Sequence, residues 1–186
     1  ISRYTWYLLY GDEPVQLLGP LASFTFQEAG SYRVFLRVTD VNGNWGEADL
    51  LVTVRDTEPP IARAGDDVVV DQHTNVTFNG VLSKDNVRIS SWTWSFTYDG
   101  SPVELEGVTA YHIFDLVGSY NVTLTILDTA GNEGVDHVLV TVRDSDAPVA
   151  ACAGDLNTTI GEVTELDGSA STDNVGVAVW TWSFEH

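Results

Sequence analysis

Trp92-Thr93-Trp94-Ser95-Phe96-Thr97 sets a large aromatic at every second position with a small hydroxyl residue between. A period of two sends successive side chains to opposite faces of an extended chain, so the stretch predicts a β-strand with a buried aromatic face. Val138, Val140 and Val142 alternate in the same way with His137, Leu139 and Thr141. Asn79-Gly80, Asp99-Gly100 and Gly131-Asn132 punctuate these runs as turns, and the sequence shows no amphipathic helix of useful length.

Working outward, the same words recur. Trp180-Thr181-Trp182-Ser183-Phe184 repeats the aromatic stretch, and Val140-Thr141-Val142-Arg143-Asp144 repeats Val52-Thr53-Val54-Arg55-Asp56. Gly30-Ser31-Tyr32 matches Gly118-Ser119-Tyr120, and Gly43-Asn44 matches Gly131-Asn132, all at a spacing of 88. A fixed period of this kind is the mark of a repeat protein. Pro59-Pro60 and Ala147-Pro148 follow the Val-Arg-Asp strand ends and favour extended linkers. The expected organisation is therefore residues 1–56 as the later part of one repeat, 57–144 as a whole repeat and 145–186 as the opening of a third. About seven strands per period predicts an all-β chain of tandem immunoglobulin-like β-sandwiches.

Asn79-Gly80 followed by Ser83-Lys84-Asp85, the Trp92-x-Trp94-x-Phe96 strand, Tyr111-His112-Ile113-Phe114, and Gly118-Ser119-Tyr120-Asn121-Val122-Thr123-Leu124 leading to Asp128 and Gly131 resemble, in order, the PKD (polycystic kidney disease) domain. Asp167-Gly168-Ser169-Ala170-Ser171 extends the resemblance into the third repeat. The chain departs from the family where Trp94-Ser95-Phe96-Thr97-Tyr98-Asp99-Gly100 stands in place of a Trp-Asp-Phe-Gly-Asp-Gly run.

Composition excludes several classes of function. Twenty-seven acids against eight bases leave a net charge of -19, which argues against binding nucleic-acid phosphates. Cys152 is the only cysteine, so no intrachain disulfide forms. No apolar run approaches the ~18 residues of a membrane span, and no secretory signal pattern is present, so any anchor or export signal lies outside this segment. Asn75, Asn121 and Asn157 each open an Asn-x-Thr sequon and are the expected glycosylation sites.

No catalytic constellation appears: the sequence has no Gly-x-Ser-x-Gly, His-Glu-x-x-His or phosphate loop, and its histidines are scattered. Position 112 is His in one repeat and Phe24 in another, which argues against shared chemistry. The chain is expected not to be an enzyme.

The acids suggest a metal instead. In an immunoglobulin-like sandwich the B–C and F–G loops face the entering linker. For the central repeat that gathers Asp56 and Glu58 from the linker, Asp85 and Asn86 from the B–C loop, and Asp128 and Asn132 from the F–G loop. The next junction offers Asp144, Asp146, Asp173 and Asn174. Calcium takes six to eight oxygens of these kinds. Asp and Asn also populate such loops because they form Asx-turns, and both readings of the loops stand at this point. The layout is similar to cadherin repeats, in which linker carboxylates bind calcium between domains, and some PKD domains of secreted enzymes bind calcium as well.

These features predict an extracellular, structural or adhesive segment of a cell-surface, envelope or filament protein, prokaryotic and archaeal ones among the kinds expected. Its partners would be other copies of itself, neighbouring repeats, or surface glycans and matrix. Residues 145–186 of one molecule could complement residues 1–56 of the next. The alternative is an accessory module of a secreted hydrolase that grips polysaccharide or fibrous protein through exposed aromatics, with Tyr10, Trp45 and Tyr98 as candidates.

Overall fold

The alternating stretches become strands of three sheets in the computed structural model, which describes residues 1–185. In the first repeat, β1 (Arg3–Tyr10), β2 (Glu13–Leu18), β3 (Gly30–Thr39) and β4 (Trp45–Val54) form one sheet in the order β2-β1-β3-β4. Its turns are tight. β1 and β2 pair from Tyr10↔Glu13 to Thr5↔Leu18 around Gly11 and Asp12, both at positive φ (58° and 64°), the backbone that a two-residue hairpin demands.

The central repeat contains seven strands: β5 (Val68–Asp71), β6 (Thr74–Asn79), β7 (Ile89–Tyr98), β8 (Ser101–Glu106), β9 (Thr109–Phe114), β10 (Gly118–Asp128) and β11 (Glu133–Arg143). One sheet runs β5-β11-β10-β7-β8 and the other is the pair β6-β9, the two layers of an immunoglobulin-like sandwich. Its first strand, β5, lies parallel to its last, β11, with Val68–Asp71 in register with Val140–Arg143.

The core follows the period of two. Trp94, Phe114, Val122, Leu124, Ile126 and Val140 are fully buried, and Phe78 stacks on Trp94 with ring centroids 5.3 Å apart. Trp94 satisfies its buried indole N–H by donating to the Gly107 carbonyl at 3.1 Å, and Trp6 does the same to Gly19 at 3.1 Å in the first repeat. The phenol of Tyr120 donates back to the Leu116 carbonyl at 2.8 Å, and that of Tyr32 to Glu28 at 2.9 Å. A tyrosine early in the F strand bonding a few residues upstream is the tyrosine corner of these sandwiches. Trp92 is only half-buried, and Gly80 makes room for it: a Cβ there would lie 2.8 Å from its indole ring.

The third stretch differs from expectation. Val149 bridges to Thr172, but Trp180–Phe184 forms no strand. Trp180 and Trp182 are exposed.

By internal packing the chain forms two compact units, one of residues 1–62, 83–91 and 126–134, the other of residues 63–82, 92–125 and 135 onward. Among the described residues, no helix is long and apolar enough to cross a membrane.

Candidate metal centre

The first unit carries the site. The linker enters along the B–C segment, where Ile61 and Lys84 exchange backbone hydrogen bonds (2.8 and 3.0 Å). It then passes Gly134, where a Cβ would stand 2.0 Å from the Pro60 carbonyl oxygen; only glycine lets the backbones come this close. These two contacts bring Asp56, Asp85 and Asp128 together, with one carboxylate oxygen of each within 4.8 Å of the others.

Each acid is held by the turn it begins. Asp85 Oδ2 accepts from the N–H groups of Val87 (2.9 Å) and Arg88 (2.5 Å). Asp56 Oδ1 accepts from the Glu58 N–H and from the Asn86 amide, both at 3.1 Å. Asp128, only 2% exposed, accepts from Ala130 and Asn132 N–H at 2.8 Å and from the Asn132 side-chain amide at 2.7 Å. Burial works against its charge, but the Asn132 amide and the N–H groups of Asn132, Ala130 and Gly131 outweigh that and hold its carboxyl below the usual value.

The Asx-turn explanation therefore accounts for one oxygen of Asp85 and one of Asp56. It leaves Asp85 Oδ1 and Asp56 Oδ2 buried with no hydrogen-bond partner in the structure. Buried carboxylate oxygens without partners are costly, and a convergent trio of carboxylates is the donor set of a hard cation. The residues fit calcium by charge, by donor type and by their unspent oxygens.

The remaining expected ligands have different places. Asn86 and Asn132 point amide nitrogens at Asp56 and Asp128 and so orient the acids. Asn132 also reaches the Asp56 and Glu58 carbonyl oxygens at 3.4 Å. Glu58 contributes its backbone, and its exposed side chain is not in the trio. No sequence signal distinguishes an asparagine that binds a metal from one that aims a carboxylate.

In the second unit, Asp144 accepts from Asp146 N–H (3.1 Å) and the Asn174 amide (3.3 Å), and Asp173 from Val175 (3.0 Å) and Gly176 (2.8 Å). The Gly176 and Val175 N–H groups hold the Asp173 carboxyl below its ordinary value. Asn174 also bonds Gln72 at 3.0 Å, and Asp146 faces His73 at 3.2 Å. Among the described residues these acids do not converge as Asp56, Asp85 and Asp128 do.

The sequon asparagines Asn75, Asn121 and Asn157 are all exposed. Of the three aromatic candidates, Tyr98 and Tyr10 are scaffold. The Tyr98 oxygen accepts from Asp115 and Leu116 N–H (2.8 and 3.1 Å) and the Tyr10 oxygen from Gln27 N–H (2.7 Å). Trp45 alone is well exposed, at 60%.

Residues 57–142 match the family described as PKD domain. The chain is 33% identical over 98% of its length to the mouse (Mus musculus) dyslexia-associated protein KIAA0319-like protein, and 30% identical over 98% to human (Homo sapiens) dyslexia-associated protein KIAA0319. It spans about a fifth of the length of these relatives, 19% and 18% respectively. Among solved structures it resembles fibronectin(III)-like modules of Clostridium thermocellum CbhA (TM-score 0.39, 16% identity, covering 78% of this chain and 80% of that one). It also resembles a 1.5-MDa bacterial ice-binding adhesin (TM-score 0.37, 17% identity, covering 81% and 56%).

Proposed function

We propose, for a chain whose central repeat belongs to the PKD domain family, that it is a non-catalytic extracellular segment of a surface protein, structural or adhesive in role, with a calcium ion bracing the entry to that repeat. The observation that carries the calcium is the pair of buried, unpartnered oxygens on Asp56 and Asp85 beside the buried Asp128. One comes from the linker and one from the B–C loop, so an ion shared by both fixes the linker's direction. Asn86 and Asn132 hold the carboxylates in place for it. The excess of acids and the exposed sequons support an extracellular setting.

Calcium titration by calorimetry on the 186-residue chain tests the reading. Heat of binding that vanishes in Asp56→Ala and Asp85→Ala is expected; no heat in the wild-type chain rejects the ion.

Assembly is the finer part of the proposal. In the first repeat Trp6, Leu8, Leu17, Val34, Leu50 and Val52 line an open apolar cavity of about 240 Å³. In the third, Pro148, Ala150, Cys152, Trp180 and Trp182 line another of about 280 Å³. Both faces are apolar, and the assembly we propose is complementation in which residues 145–186 of one molecule close on residues 1–56 of the next. Sedimentation that shows a concentration-dependent ladder supports this assembly, and a sharp monomer rejects it.

A further inference from the structure

The sheet β2-β1-β3-β4 has an outer face that its counterpart in the central repeat lacks. The register across the strands gives three rows on that face. Arg3, Thr39 and Trp45 form the first; Thr5, Arg37 and Glu47 the second; Gln16, Tyr7, Phe35 and Asp49 the third. Eighty-eight residues later, Tyr7, Phe35, Arg37 and Trp45 become Ser95, Thr123, Thr125 and Glu133. The aromatic and guanidinium groups are thus not needed to build such a sheet.

The groups are pre-organised. Tyr7 and Phe35 stack with centroids 5.2 Å apart and planes 9° from parallel. The Arg37 guanidinium sits 4.4 Å from the Trp45 ring centroid and pairs with Glu47 at 2.6 Å, and the Tyr7 hydroxyl donates to the same carboxylate. Arg33 pairs with Asp49 at 2.7 Å. A shallow groove of about 470 Å³ runs over these rows, bordered by Arg3, Gln16, Tyr7, Arg37 and Trp45. Three of the chain's seven arginines stand on this one face, although the chain carries a net charge of -19. Glu47 and Asp49 neutralise two of them, and Arg3 is left to supply the local positive charge.

From this arrangement we infer that the outer face of the first repeat binds an acidic oligosaccharide. Sugar rings lie against the exposed Trp45 and the Tyr7–Phe35 stack, and a uronate-type carboxylate pairs with Arg3. Gln16, Thr5 and Thr39 serve the hydroxyls. Flat aromatic surface beside amides and hydroxyls suits a pyranose, which is apolar on its faces and polar around its rim. A single unbalanced guanidinium at the groove's edge suits one carboxylate, and guanidinium matches carboxylate bidentately. A polyanion with a charge on every unit would instead meet Glu47 and Asp49. This inference is independent of the calcium ion.

The test titrates the 186-residue chain with a hyaluronan hexasaccharide, with its carboxyl-reduced counterpart and with a neutral chitohexaose, following tryptophan fluorescence and heat. Hyaluronan should bind at least tenfold more tightly than either uncharged oligomer. Arg3→Gln should erase that preference, and Trp45→Ala should weaken all binding at least tenfold while melting temperature stays within a few degrees. If Trp45→Ala unfolds the sheet, Trp45→Thr and Gln16→Ala replace it, and each should weaken hyaluronan. Equal binding of the three sugars, unchanged affinity in the Arg3 and Trp45 variants, or binding of a protein but of no sugar overturns the proposal.

Discussion

His112 occupies in the central repeat the place that Phe24 occupies in the preceding one, with its ring packed the same way. Phe24 meets Tyr10 edge-on at 5.3 Å and Phe26 at 5.0 Å; His112 meets Tyr98 edge-on at 4.8 Å and Phe114 at 4.7 Å. The imidazole is a misfit in that slot, because its Nε2 is buried without a partner. Burial pushes its pKa below the ordinary value, more strongly than the nearby Asp115 raises it.

His112→Phe therefore fills the slot with the ring that the first repeat already uses. The unfolded imidazole, with a pKa near 6.5, binds a proton more readily than the folded one. Wild-type stability accordingly falls as pH drops through 6.5 toward the folded pKa. Thermal melts should show the variant more stable by about 1 kcal/mol at pH 7, where it removes the unpaired nitrogen, and by a wider margin at pH 5. A margin that narrows on acidification would contradict the assignment.

Gly134 lies against the linker and should not accept a side chain. A Cβ there would stand 2.0 Å from the Pro60 carbonyl oxygen. Gly134→Ala should cost ~1–3 kcal/mol by overpacking. Denaturant melts of the variant and the wild type measure the difference directly.

Asp85→Asn should separate repulsion from coordination. In excess chelator the variant is expected to melt no lower than wild type, since one of three adjacent carboxylates has lost its charge. In millimolar calcium the wild type should gain about 5 °C or more and the variant little, because an ion that binds only the folded state stabilises it by mass action.

Asp136 anchors the linker differently, by accepting from the Ala64 N–H at 2.8 Å. That hydrogen bond is the chief reason its carboxyl ionises below the ordinary range. A depressed folded pKa contributes stability that is present above the unfolded value of ~3.9 and is lost as pH falls through the folded value. The gap in melting temperature between wild type and Asp136→Asn should be constant above pH 5 and shrink toward pH 2.

The sandwich was legible because Trp94, Phe96, Val140 and Val142 obey a period of two, and the grouping of linker and loop acids was legible because turn-forming acids recur beside each linker. The acids' separate oxygens were not. That Asp85 spends Oδ2 on two backbone N–H groups and leaves Oδ1 bare depends on side-chain rotation within a turn, which spacing does not encode. Tyr98 and Trp45 looked alike as aromatics beside turns, yet the Tyr98 hydroxyl is fixed by a distant loop while Trp45 lies open on a sheet. The outer platform needed the cross-strand register that sets Trp45 in the row of Arg3.

The parallel pairing of β5 with β11 has a mechanical consequence. The strand by which the chain enters the central sandwich and the strand by which it leaves run side by side in the same direction, joined over Val68–Asp71 and Val140–Arg143. When the two ends of the repeat are pulled apart, the force runs along both strands and across their hydrogen bonds. The ladder is then loaded in shear and its bonds must yield together, whereas a hairpin opened from its end releases them one at a time. Between two fixed ends, this short ladder resists the first extension of the repeat.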